Sequence, residues 1–411
     1  MPQMPREHTL DSSLAFLREG YEFVGRRCRD FNSDIFQTRL LGRRFYCTLG
    51  EDAAKMFYEP ERFTRRSALP ASTLKLLQDK GSVATLDGTA HHHRKEMMLS
   101  LMRKERLQEI AERAADALQE RAAMWRSVDR VVLHDEFRLV LCRAVCEWAG
   151  MPLEADELQP FTRELGAMID NAGTVGPKNW AARLLRLRAE RRVRHAVEAV
   201  RAGSLTPLPE SALAVISRHR DPAGNVLDAS LASVEILNII RPTVAIARFM
   251  AYGALALHRH PETRDRVSTD DAYREAFVQE VRRFYPFFPV VAGIARAPFD
   301  WRGFSFEAGD RFILDLYGTD HDQRLWPEPE KFRPERFLGW RGNAYSLIPQ
   351  GGGGHAANHR CAGEWLTIAV MKTMLLTLAR DATYDLPEQD LYIDLGELPA
   401  KPRSGVVGHA H

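Results

Sequence analysis

The sequence lacks the features of secreted, nucleic-acid-binding and membrane-spanning proteins. Its five cysteines are an odd number and show neither a regular disulfide framework nor a paired Cys-x-x-Cys zinc spacing. The formal net charge of +2 gives no sign of a nucleic-acid-binding surface. Residues 1–10 contain no apolar signal-peptide stretch, and no run approaches about 18 consecutive apolar residues. We therefore expect a soluble, cytoplasmic protein with no integral membrane span and no nucleic-acid partner.

The chain also lacks any internal repeat, low-complexity block or long linker that would divide its 411 residues. Hydrophobic residues make up 45% and charged residues 27%, which suits a globular chain with a sizeable core. Helical periodicity predicts helices at Leu74–Leu77, His91–Met102, Leu107–Trp125, Phe137–Trp148, Arg183–Val200, Leu231–Leu257, Tyr273–Phe284 and Gly363–Leu378. Strand-like pieces are short and lie at Ile35–Cys47, Phe299–Phe306 and Phe312–Leu316. The expected fold is a single domain over residues 1–411, mostly α with a small β region.

One helical segment carries an unusual density of arginine, from Arg183 to Arg194. Such a run is most often the solvated face of a helix, and we favour that interpretation here. A surface patch for lipid or nucleic acid is the alternative, and the sequence alone leaves it open.

The sharpest signal is a glycine-rich loop near the C-terminus. Residues 349–366 read Pro-Gln-Gly-Gly-Gly-Gly-His-Ala-Ala-Asn-His-Arg-Cys-Ala-Gly-Glu-Trp-Leu and deliver Cys361 just ahead of a helical pattern. Glycines let the backbone approach a flat, bulky ligand closely, and a helix N-terminus favours a thiolate. His359 and Arg360 are candidates to pair with anionic groups of that ligand. A buried structural cysteine after a flexible loop is the alternative interpretation.

Two further motifs precede this loop. Glu280 and Arg283 lie one turn apart in a Glu-x-x-Arg sequence, and Arg336 stands in the later stretch Phe-Arg-Pro-Glu-Arg-Phe. A Glu-x-x-Arg pair alone is usually an ordinary surface pair. Followed by Pro-Glu-Arg-Phe and the cysteine loop, it resembles the cytochrome P-450 superfamily over essentially the whole chain. The resemblance implies a cytochrome P-450 fold, a haem b cofactor with Cys361 as the thiolate ligand of iron, and an ion-pair triad of Glu280, Arg283 and Arg336.

The long central helix departs from the usual family pattern. Oxygen-activating members carry an acid beside an alcohol there, whereas this chain reads Asn-Ile-Ile-Arg-Pro-Thr-Val-Ala over residues 238–245. Pro242 removes a helix hydrogen bond, and Arg241 lies in a strongly apolar run. A buried, unpaired guanidinium carries a penalty of several kcal/mol, so it favours a carboxylate partner. The alternative is that Arg241 faces solvent, together with Arg248.

Arg241 and Pro242, combined with Gln-Gly-Gly-Gly and His-Arg-Cys in the loop, resemble the bacterial fatty-acid peroxygenase branch of the superfamily. The resemblance implies that Arg241 binds the carboxylate of a long-chain fatty acid over the haem, and that Arg241 and Pro242 form the catalytic pair. The substrate carboxylate then supplies the acid–base group that helps cleave hydrogen peroxide. Hydroxylation follows near the carboxyl end, with the α carbon favoured over the β carbon, and no redox partner is required.

Several other positions match haem-contacting residues of this branch. Arg65, His91 and Lys95 match residues that pair with haem propionates. Three consecutive histidines, at positions 91–93, also invite a metal-binding interpretation. Neighbouring side chains on a helix do not face one way, so three in a row do not close on one zinc ion.

The resemblance places the following residues in the substrate pocket: Gln78, Ala84, Phe287, Phe288 and Val290. Ala84 (or Thr85, if the register slips) occupies a position close to the haem face in relatives. A histidine there is linked to decarboxylating relatives, so its absence favours hydroxylation. Phe288 is bulky where some relatives carry a small residue, which favours attack at the α carbon, whereas Gln78 stands at a usually apolar position. An aromatic run such as this one is more often core than pocket, and that alternative stays open.

The sequence leaves two other functions open. A reductase-dependent haem monooxygenase is the first, although Arg241 and Pro242 argue against it. A non-catalytic haem or fatty-acid binding protein is the second, and it would bind both ligands without forming a product.

Overall fold

The computed structural model describes residues 3–79, 81–125, 127–380 and 384–410. Over these residues the helices are α1 (Ser13–Glu19), α2 (Phe23–Asp30), α3 (Glu51–Phe57), α4 (Ala71–Leu77), α5 (Gly88–Ser100), α6 (Lys104–Trp125), α7 (Leu133–Ala149), α8 (Ala155–Asp170), α9 (Pro177–Ala202), α10 (Ala212–Arg218), α11 (Ala229–Arg259), α12 (Arg264–Thr269), α13 (Asp271–Phe284), α14 (Leu316–Asp320) and α15 (Glu364–Arg380). The strands are β1 (Ile35–Leu40), β2 (Arg43–Leu49), β3 (Phe63–Thr64), β4 (Val131–Val132), β5 (Val290–Ala295), β6 (Phe299–Trp301), β7 (Phe304–Phe306), β8 (Arg311–Asp315), β9 (Tyr384–Asp385) and β10 (Val407–Ala410). Helices dominate and the sheets are small, so the predicted fold class is confirmed.

The 31-residue helix α11 is the centre of the helical part. It packs against α7, α9 and α15, and residues on every side of its middle turns are buried. Burial all round explains why its sequence is apolar on every face. By length and composition α11 is the one described helix that could cross a membrane, but 67% of its apolar window is buried inside the fold. Such burial is typical of the core helix of a helical domain.

The largest sheet lies beside the helices and has the strand order β1-β2-β8-β5-β3. β2 and β8 are parallel, and the other neighbours are antiparallel. The predicted piece Phe312–Leu316 corresponds to β8. β5 was not predicted, because its apolar run Val290–Ala295 contains a glycine and is too short to be told from a loop or a helix by periodicity.

Two of the predicted strand pieces are hairpins. Ile35–Cys47 divides into β1 and β2, which pair antiparallel around Leu41 and Gly42. Phe299–Phe306 divides likewise into β6 and β7 around Arg302 and Gly303. All four turn residues have positive φ, as two-residue hairpin turns require. The prediction of one strand in each segment was wrong, because the apolar residues continue on both sides of a turn of only two residues.

Seven helices of the described chain were not predicted, namely α1, α2, α3, α8, α10, α12 and α14. Six of them have only 5 to 8 residues, which is too short for a periodic signal. α8 has 16 residues but contains Pro160 near its start, where a proline usually ends a helical pattern. A reciprocal capping box between Glu154 and Glu157 begins α8 in spite of that proline.

The predicted triad on α13 is confirmed. Arg283 donates from Nε and Nη2 to the Glu280 carboxylate at 2.7 and 2.8 Å, and Nε of Arg336 lies 3.2 Å from the same group. The backbone N–H of Arg333 also donates to Glu280 at 2.8 Å. Glu280 and Arg283 are fully buried. The triad therefore fixes the segment around Pro334–Phe337 against α13, shortly before the cysteine loop.

Glu280→Ala is expected to lower the free energy of unfolding by about 3–5 kcal/mol, because two largely buried guanidinium groups lose their carboxylate. Glu275→Ala on the same helix is the matched control. Glu275 is partly exposed and pairs with Lys372 at 2.9 Å, and such pairs contribute about 0–1 kcal/mol. Denaturant unfolding measures both variants, and equal losses would contradict the role given to the triad.

Candidate haem-thiolate site

The loop before α15 is folded by its glycines and by Asn358. Gly351 and Gly353 have φ of +90° and +81°, and a Cβ would lie 3.0 Å from Tyr58 Oη in the first case and 2.8 Å from Asn358 Oδ1 in the second. Asn358 Oδ1 accepts the backbone N–H of Gly354 at 2.7 Å, and Asn358 Nδ2 donates to Tyr58 O at 2.9 Å. The sequence analysis missed Asn358, although it holds the turn that needs these glycines.

Cys361 stands at the end of this loop, three residues before α15. Its backbone N–H donates to Gln350 O at 3.2 Å, and Nε2 of Gln350 lies 3.8 Å from the sulfur. The same amide donates to Thr367 Oγ1 at 3.1 Å, which fixes its direction. The backbone N–H of Gly363 is a second donor at the sulfur. Donors of this kind orient and tune a thiolate bound to a metal.

Burial raises the pKa of the Cys361 thiol, and the Glu364 carboxylate raises it further. The Gly363 N–H and the Lys95 ammonium act in the opposite direction but do not outweigh burial. The N–H groups at the start of the helix therefore favour the thiolate, as expected from the sequence, but burial has the larger effect on this sulfur. A metal ion deprotonates a thiol on coordination. The sulfur and its donors thus fit an iron ligand.

Arg360 was predicted to pair with an anionic group of the haem, but a protein carboxylate engages it. Its Nε and Nη2 donate to Glu364 at 2.5 and 3.1 Å. Glu364 also accepts Nη2 of Arg282 at 2.5 Å, and Arg282 lies 3.2 Å from Gln350 Oε1. This chain of contacts ends at the amide beside Cys361. The sequence analysis missed it, although the i,i+4 spacing of Arg360 and Glu364 was an available signal.

Arg65 and His91, two of the predicted propionate partners, lie close to His359. The rings of His91 and His359 have their centroids 4.0 Å apart. Burial lowers the pKa of His91 to about 4 and that of His359 to about 2, and nearby cations including Arg65 add to the effect. Both imidazoles are therefore neutral at pH 7 and can each donate one N–H. Arg65 supplies the full positive charge, and its Nη1 donates to Ala292 O of β5 at 2.8 Å.

Lys95 joins this group from α5. Its Nζ donates to the carbonyls of Asn358 and Arg360, the former at 3.0 Å. Burial lowers the pKa of Lys95 to about 8, so the ammonium is still mostly protonated at pH 7. The structure therefore brings Arg65, His91, Lys95 and His359 together beside the cysteine loop. A basic cluster of this kind suits carboxylates such as haem propionates.

The three consecutive histidines of α5 have three different partners. His91 lies against His359, His92 Nε2 is 3.2 Å from Ala357 O, and His93 Nε2 is 2.8 Å from Arg220 O. In the part of the chain that the structure describes, no group of three or more His, Cys, Asp or Glu side chains is placed to hold a metal ion. The rings diverge because successive residues on a helix face different ways.

Arg241 and Pro242 lie in α11, which continues through the proline. Both Arg241 and Arg248 are buried, so the alternative in which they face solvent is wrong. Nη1 of Arg241 lies 3.3 Å from Asn238 Oδ1, and no carboxylate pairs with this guanidinium among residues 3–79, 81–125, 127–380 and 384–410. Burial lowers the pKa of Arg241 to about 9, and the charge of Arg186 adds to the effect. Arg241 is thus a buried cation at pH 7 with a neutral partner.

Glu235 is an acid that the sequence analysis overlooked, six residues before Arg241. Its Oε1 accepts Nη1 of Arg94 at 2.6 Å and the backbone N–H of Val83 at 2.9 Å. Its Oε2 accepts Nδ2 of Asn238 at 3.3 Å. Burial raises the pKa of Glu235, although Arg94 acts against it. A continuous polar chain therefore runs from Arg94 through Glu235 and Asn238 to Arg241.

Gln78 and Ala84, two of the predicted pocket residues, lie on short elements held against α11. Gln78 follows the last residue of α4, and its carbonyl accepts Nδ2 of Asn238 at 3.5 Å. Ala84 lies in the 3-10 turn Val83–Thr85, whose first N–H is bound by Glu235. Asn238 and Glu235 therefore connect both pocket positions with the helix turn that carries Arg241.

The predicted aromatic pocket residues follow α13. The ring of Phe287 is partly buried and stacks on the ring of Phe249 of α11, with the centroids 4.1 Å apart. Phe288 meets Phe287 edge-on at 4.9 Å and keeps 42% of its surface exposed. Val290 is the first residue of β5, and the carbonyl of Ala292 in the same strand accepts a hydrogen bond from Arg65. Pocket roles for these residues stay predictions.

Comparison with known proteins gives the same family in sequence and in structure. The family model for cytochrome P450 matches residues 254–393. The putative cytochrome P450 137 of Mycobacterium tuberculosis is 28% identical over 184 residues, which cover 43% of this chain and 38% of that relative. The solved structure of cytochrome P450EX alpha with myristic acid is 41% identical, with 100% of this chain and 99% of that chain covered and a TM-score of 0.95. The solved structure of a variant of cytochrome P450 OleT in complex with arachidonic acid is 34% identical, with 99% and 98% covered and a TM-score of 0.97.

The chain belongs to the cytochrome P450 family. Its solved neighbours place it in the bacterial fatty-acid peroxygenase branch, so the resemblance found in the sequence is confirmed. Cytochrome P450 proteins hold a haem iron through a cysteine thiolate. The other four cysteines of this P450 are buried in hydrophobic clusters, Cys142 and Cys146 among the helices and Cys28 and Cys47 beside the sheet. Cys361 is therefore the cysteine we predict as ligand.

Cys361→Ala is expected to remove the thiolate-type absorption of the reduced carbonyl complex, because no other cysteine lies at this loop. Cys28→Ala is the matched control, since Cys28 is buried in the cluster beside the sheet and its loss should leave the spectrum unchanged. A thiolate-type spectrum that persists in Cys361→Ala would mean that another residue is the ligand.

Proposed function

We propose that this P450 hydroxylates long-chain fatty acids next to their carboxyl group, with hydrogen peroxide as oxidant. The cofactor is haem b with Cys361 as thiolate ligand, and the α carbon is favoured over the β carbon as the position of attack. The observation that carries the proposal is the buried guanidinium of Arg241, which has no carboxylate partner in the described ranges. The neighbours solved with myristic and arachidonic acid support a fatty acid as the substrate.

A fatty-acid carboxylate supplies the anion that Arg241 lacks. Burying an unpaired cation costs several kcal/mol, and the amide oxygen of Asn238 at 3.3 Å offsets only part of that cost. A planar guanidinium presents parallel N–H groups that fit a carboxylate bidentately. Binding of the substrate therefore pairs the buried guanidinium with an anion, which is energetically favourable. The same contact fixes the position of the first carbons of the acid.

Thr243 and Glu235, two polar side chains of α11 near Arg241, already form hydrogen bonds within the protein. Thr243 Oγ1 donates to Ile239 O at 2.8 Å, and Glu235 is held by Arg94. Neither side chain is free to move a proton beside Arg241. The substrate carboxylate held by Arg241 is then the acid–base group of the site. Bound haem supplies the oxidising chemistry, and electron donation from its thiolate favours cleavage of the peroxide O–O bond.

The position of attack follows from where the acid is held. A carboxylate fixed at Arg241 presents the α and β carbons before any others. Pro242 removes the helix hydrogen bond to the carbonyl of Asn238, in the turn that aims the guanidinium. Phe287 is fixed by its stacking on Phe249 and in turn supports the ring of Phe288. Phe288 then limits the space near the carboxyl end, which favours the α carbon.

No redox partner forms part of this proposal, because peroxide brings both the oxygen atom and the oxidising equivalents. The products are the hydroxy acid and water. We propose that residues 1–411 work as one haem-binding domain in the cytoplasm. A reductase-dependent monooxygenase and a non-catalytic binding protein are the competing functions, and the following experiment separates them.

Purified haem-loaded protein is incubated with a long-chain fatty acid and hydrogen peroxide, without reductase, and the products are identified by mass spectrometry. A 2-hydroxy acid is the expected product. A 3-hydroxy acid or an alkene would keep the peroxide chemistry and correct the role given to Phe288. No product from intact haem protein would contradict the proposal, and turnover restored by a reductase would assign the reductase-dependent function.

Arg241→Met tests the role of the guanidinium with a side chain of similar length and no charge. Fatty-acid binding, followed by the spectral shift of the haem, should weaken by about 10- to 150-fold, as expected for losing hydrogen bonds to a charged group. Peroxide-driven product should disappear while haem stays bound. Arg241→Lys should retain more affinity than Arg241→Met, since it keeps the charge but loses the bidentate geometry.

The same variant gives a readout independent of activity. Without fatty acid, Arg241→Met should unfold at the same temperature as the wild type or higher, because it removes an uncompensated buried charge. At the same excess concentration of fatty acid the wild type should gain more stability than the variant, since stabilisation increases with the logarithm of the ratio of ligand concentration to dissociation constant. A variant that is less stable without ligand and equally active would contradict the substrate-carboxylate account.

A further inference from the structure

The outward face of α9 begins with a stripe of exposed apolar side chains. Trp180, Leu184 and Leu187 are 62%, 64% and 54% exposed. Residues spaced by four and three positions lie on one face of a helix, so the three side chains form a continuous stripe over the first turns. Val175, in the loop just before α9, is exposed as well. Single exposed apolar residues are ordinary on a protein surface, but a contiguous apolar patch marks an interaction site.

The same face of α9 becomes basic after Leu187. Arg188 and Arg191 are exposed, and neither forms an ion pair within residues 3–79, 81–125, 127–380 and 384–410. Arg194 is partly exposed and lies 3.8 Å from Glu198. Over Pro177–Ala202 the helix carries eight Lys or Arg residues and two Glu residues. The solvated arginine face expected from the sequence is thus present, but an apolar stripe that the sequence analysis did not recognise precedes it.

We propose that the outward face of α9 is a docking surface for an anionic lipid bilayer. A helix with Trp and Leu beside unpaired arginines has the composition of helices that lie in the membrane interface. The apolar stripe enters the boundary between headgroups and acyl chains, and the arginines that follow it meet the negative headgroups. The contact is peripheral, so it needs no membrane-spanning segment. The proposal takes up the lipid half of the alternative that the sequence analysis left open, a surface patch for lipid or nucleic acid.

A second copy of this chain fits the surface less well. A stable protein interface takes about 20–30 residues on each side, whereas this surface offers the three apolar side chains of the stripe and Val175. In a twofold contact the same patch meets itself. The arginines of one copy would then lie beside Lys178 or the arginines of the other, and the outward face offers too few carboxylates to balance them. Negative charge has to come from the partner, as it does with an anionic lipid.

The inward face of α9 connects this surface with Arg241. Arg186 lies on the side opposite the apolar stripe, is buried, and is close enough for its charge to act on Arg241. Asn179, next to Trp180, reaches across to Ser72 O of α4 at 3.5 Å. A bilayer bound at α9 would therefore meet the outward face of the helix whose buried face carries Arg186. The proposal goes beyond the peroxide chemistry and does not depend on it.

Vesicle sedimentation with the full-length haem protein tests the surface. Vesicles of phosphatidylcholine are used with and without phosphatidylglycerol, and the wild type should bind the anionic ones more tightly. Trp180→Ser/Leu184→Ser/Leu187→Ser should weaken that binding at least about tenfold, because three apolar side chains are lost. Arg188→Glu/Arg191→Glu should weaken it about tenfold or more on anionic vesicles only, and added salt should narrow the difference.

Matched controls separate this surface from general hydrophobicity and charge. Arg103→Glu/Arg130→Glu makes the same change in net charge at exposed sites in connecting segments outside α9, and Met124→Ser removes an exposed apolar side chain from α6. Both should bind like the wild type. All variants should oxidise a dissolved, lipid-free fatty acid at the wild-type rate, so failure here is distinguishable from failure of the proposed function. Equal vesicle binding by the wild type and the apolar variant would overturn the proposal, as would a dimer that only the apolar variant dissociates.

Discussion

The central helix buries a positive charge that has no carboxylate partner in the part of the chain that the structure describes, and the rest of the account depends on this one constraint. A chain that buries Arg241 in this way gives up stability in the absence of a ligand, since a buried cation normally requires an anion. Its guanidinium nevertheless stays in place, because Asn238 holds one end and α11 is packed on all sides. This unpaired charge is the reason we propose a substrate that carries a carboxylate at one end of an apolar chain.

The surrounding polar groups serve to position that charge. The Glu235 carboxylate accepts hydrogen bonds from Arg94, the N–H of Val83 and the amide of Asn238. This one buried carboxylate therefore connects α5, the turn before α5 and the turn of α11 that carries Arg241. On the side of the cysteine, Glu364 joins Arg360 and Arg282 and leads to the amide beside the sulfur. In both places a carboxylate is used as a structural partner for arginine. On α11, by contrast, Arg241 has no carboxylate partner among the described residues, and it is the arginine we assign to substrate.

The sequence was informative where function requires particular residues at fixed spacing. The cysteine loop, the Glu280 triad and the Arg241-Pro242 departure are local patterns, and each predicted the geometry or family found here. Pairings between distant segments were not visible, such as Arg282 with Glu364 or Arg94 with Glu235, because nothing local joins residues 82 and 141 positions apart. Short helices, α8 with its internal proline and the glycine-containing strand β5 were missed for lack of a clear period. Arg360 shows a further limit of the sequence. Its place beside Cys361 suggested a contact with an anionic group of the ligand, but did not reveal that Glu364 accepts a hydrogen bond from its guanidinium.

The measurement that tests the central claim most directly compares a long-chain fatty acid with its methyl ester, under hydrogen peroxide and without reductase. The two molecules share the hydrocarbon chain and differ in the carboxylate, which is the group assigned both to binding at Arg241 and to acid–base work. The account predicts hydroxylated product from the acid and essentially none from the ester, although the haem is intact in both reactions. Equal turnover of acid and ester would contradict it, because the substrate carboxylate would then have no part in the chemistry.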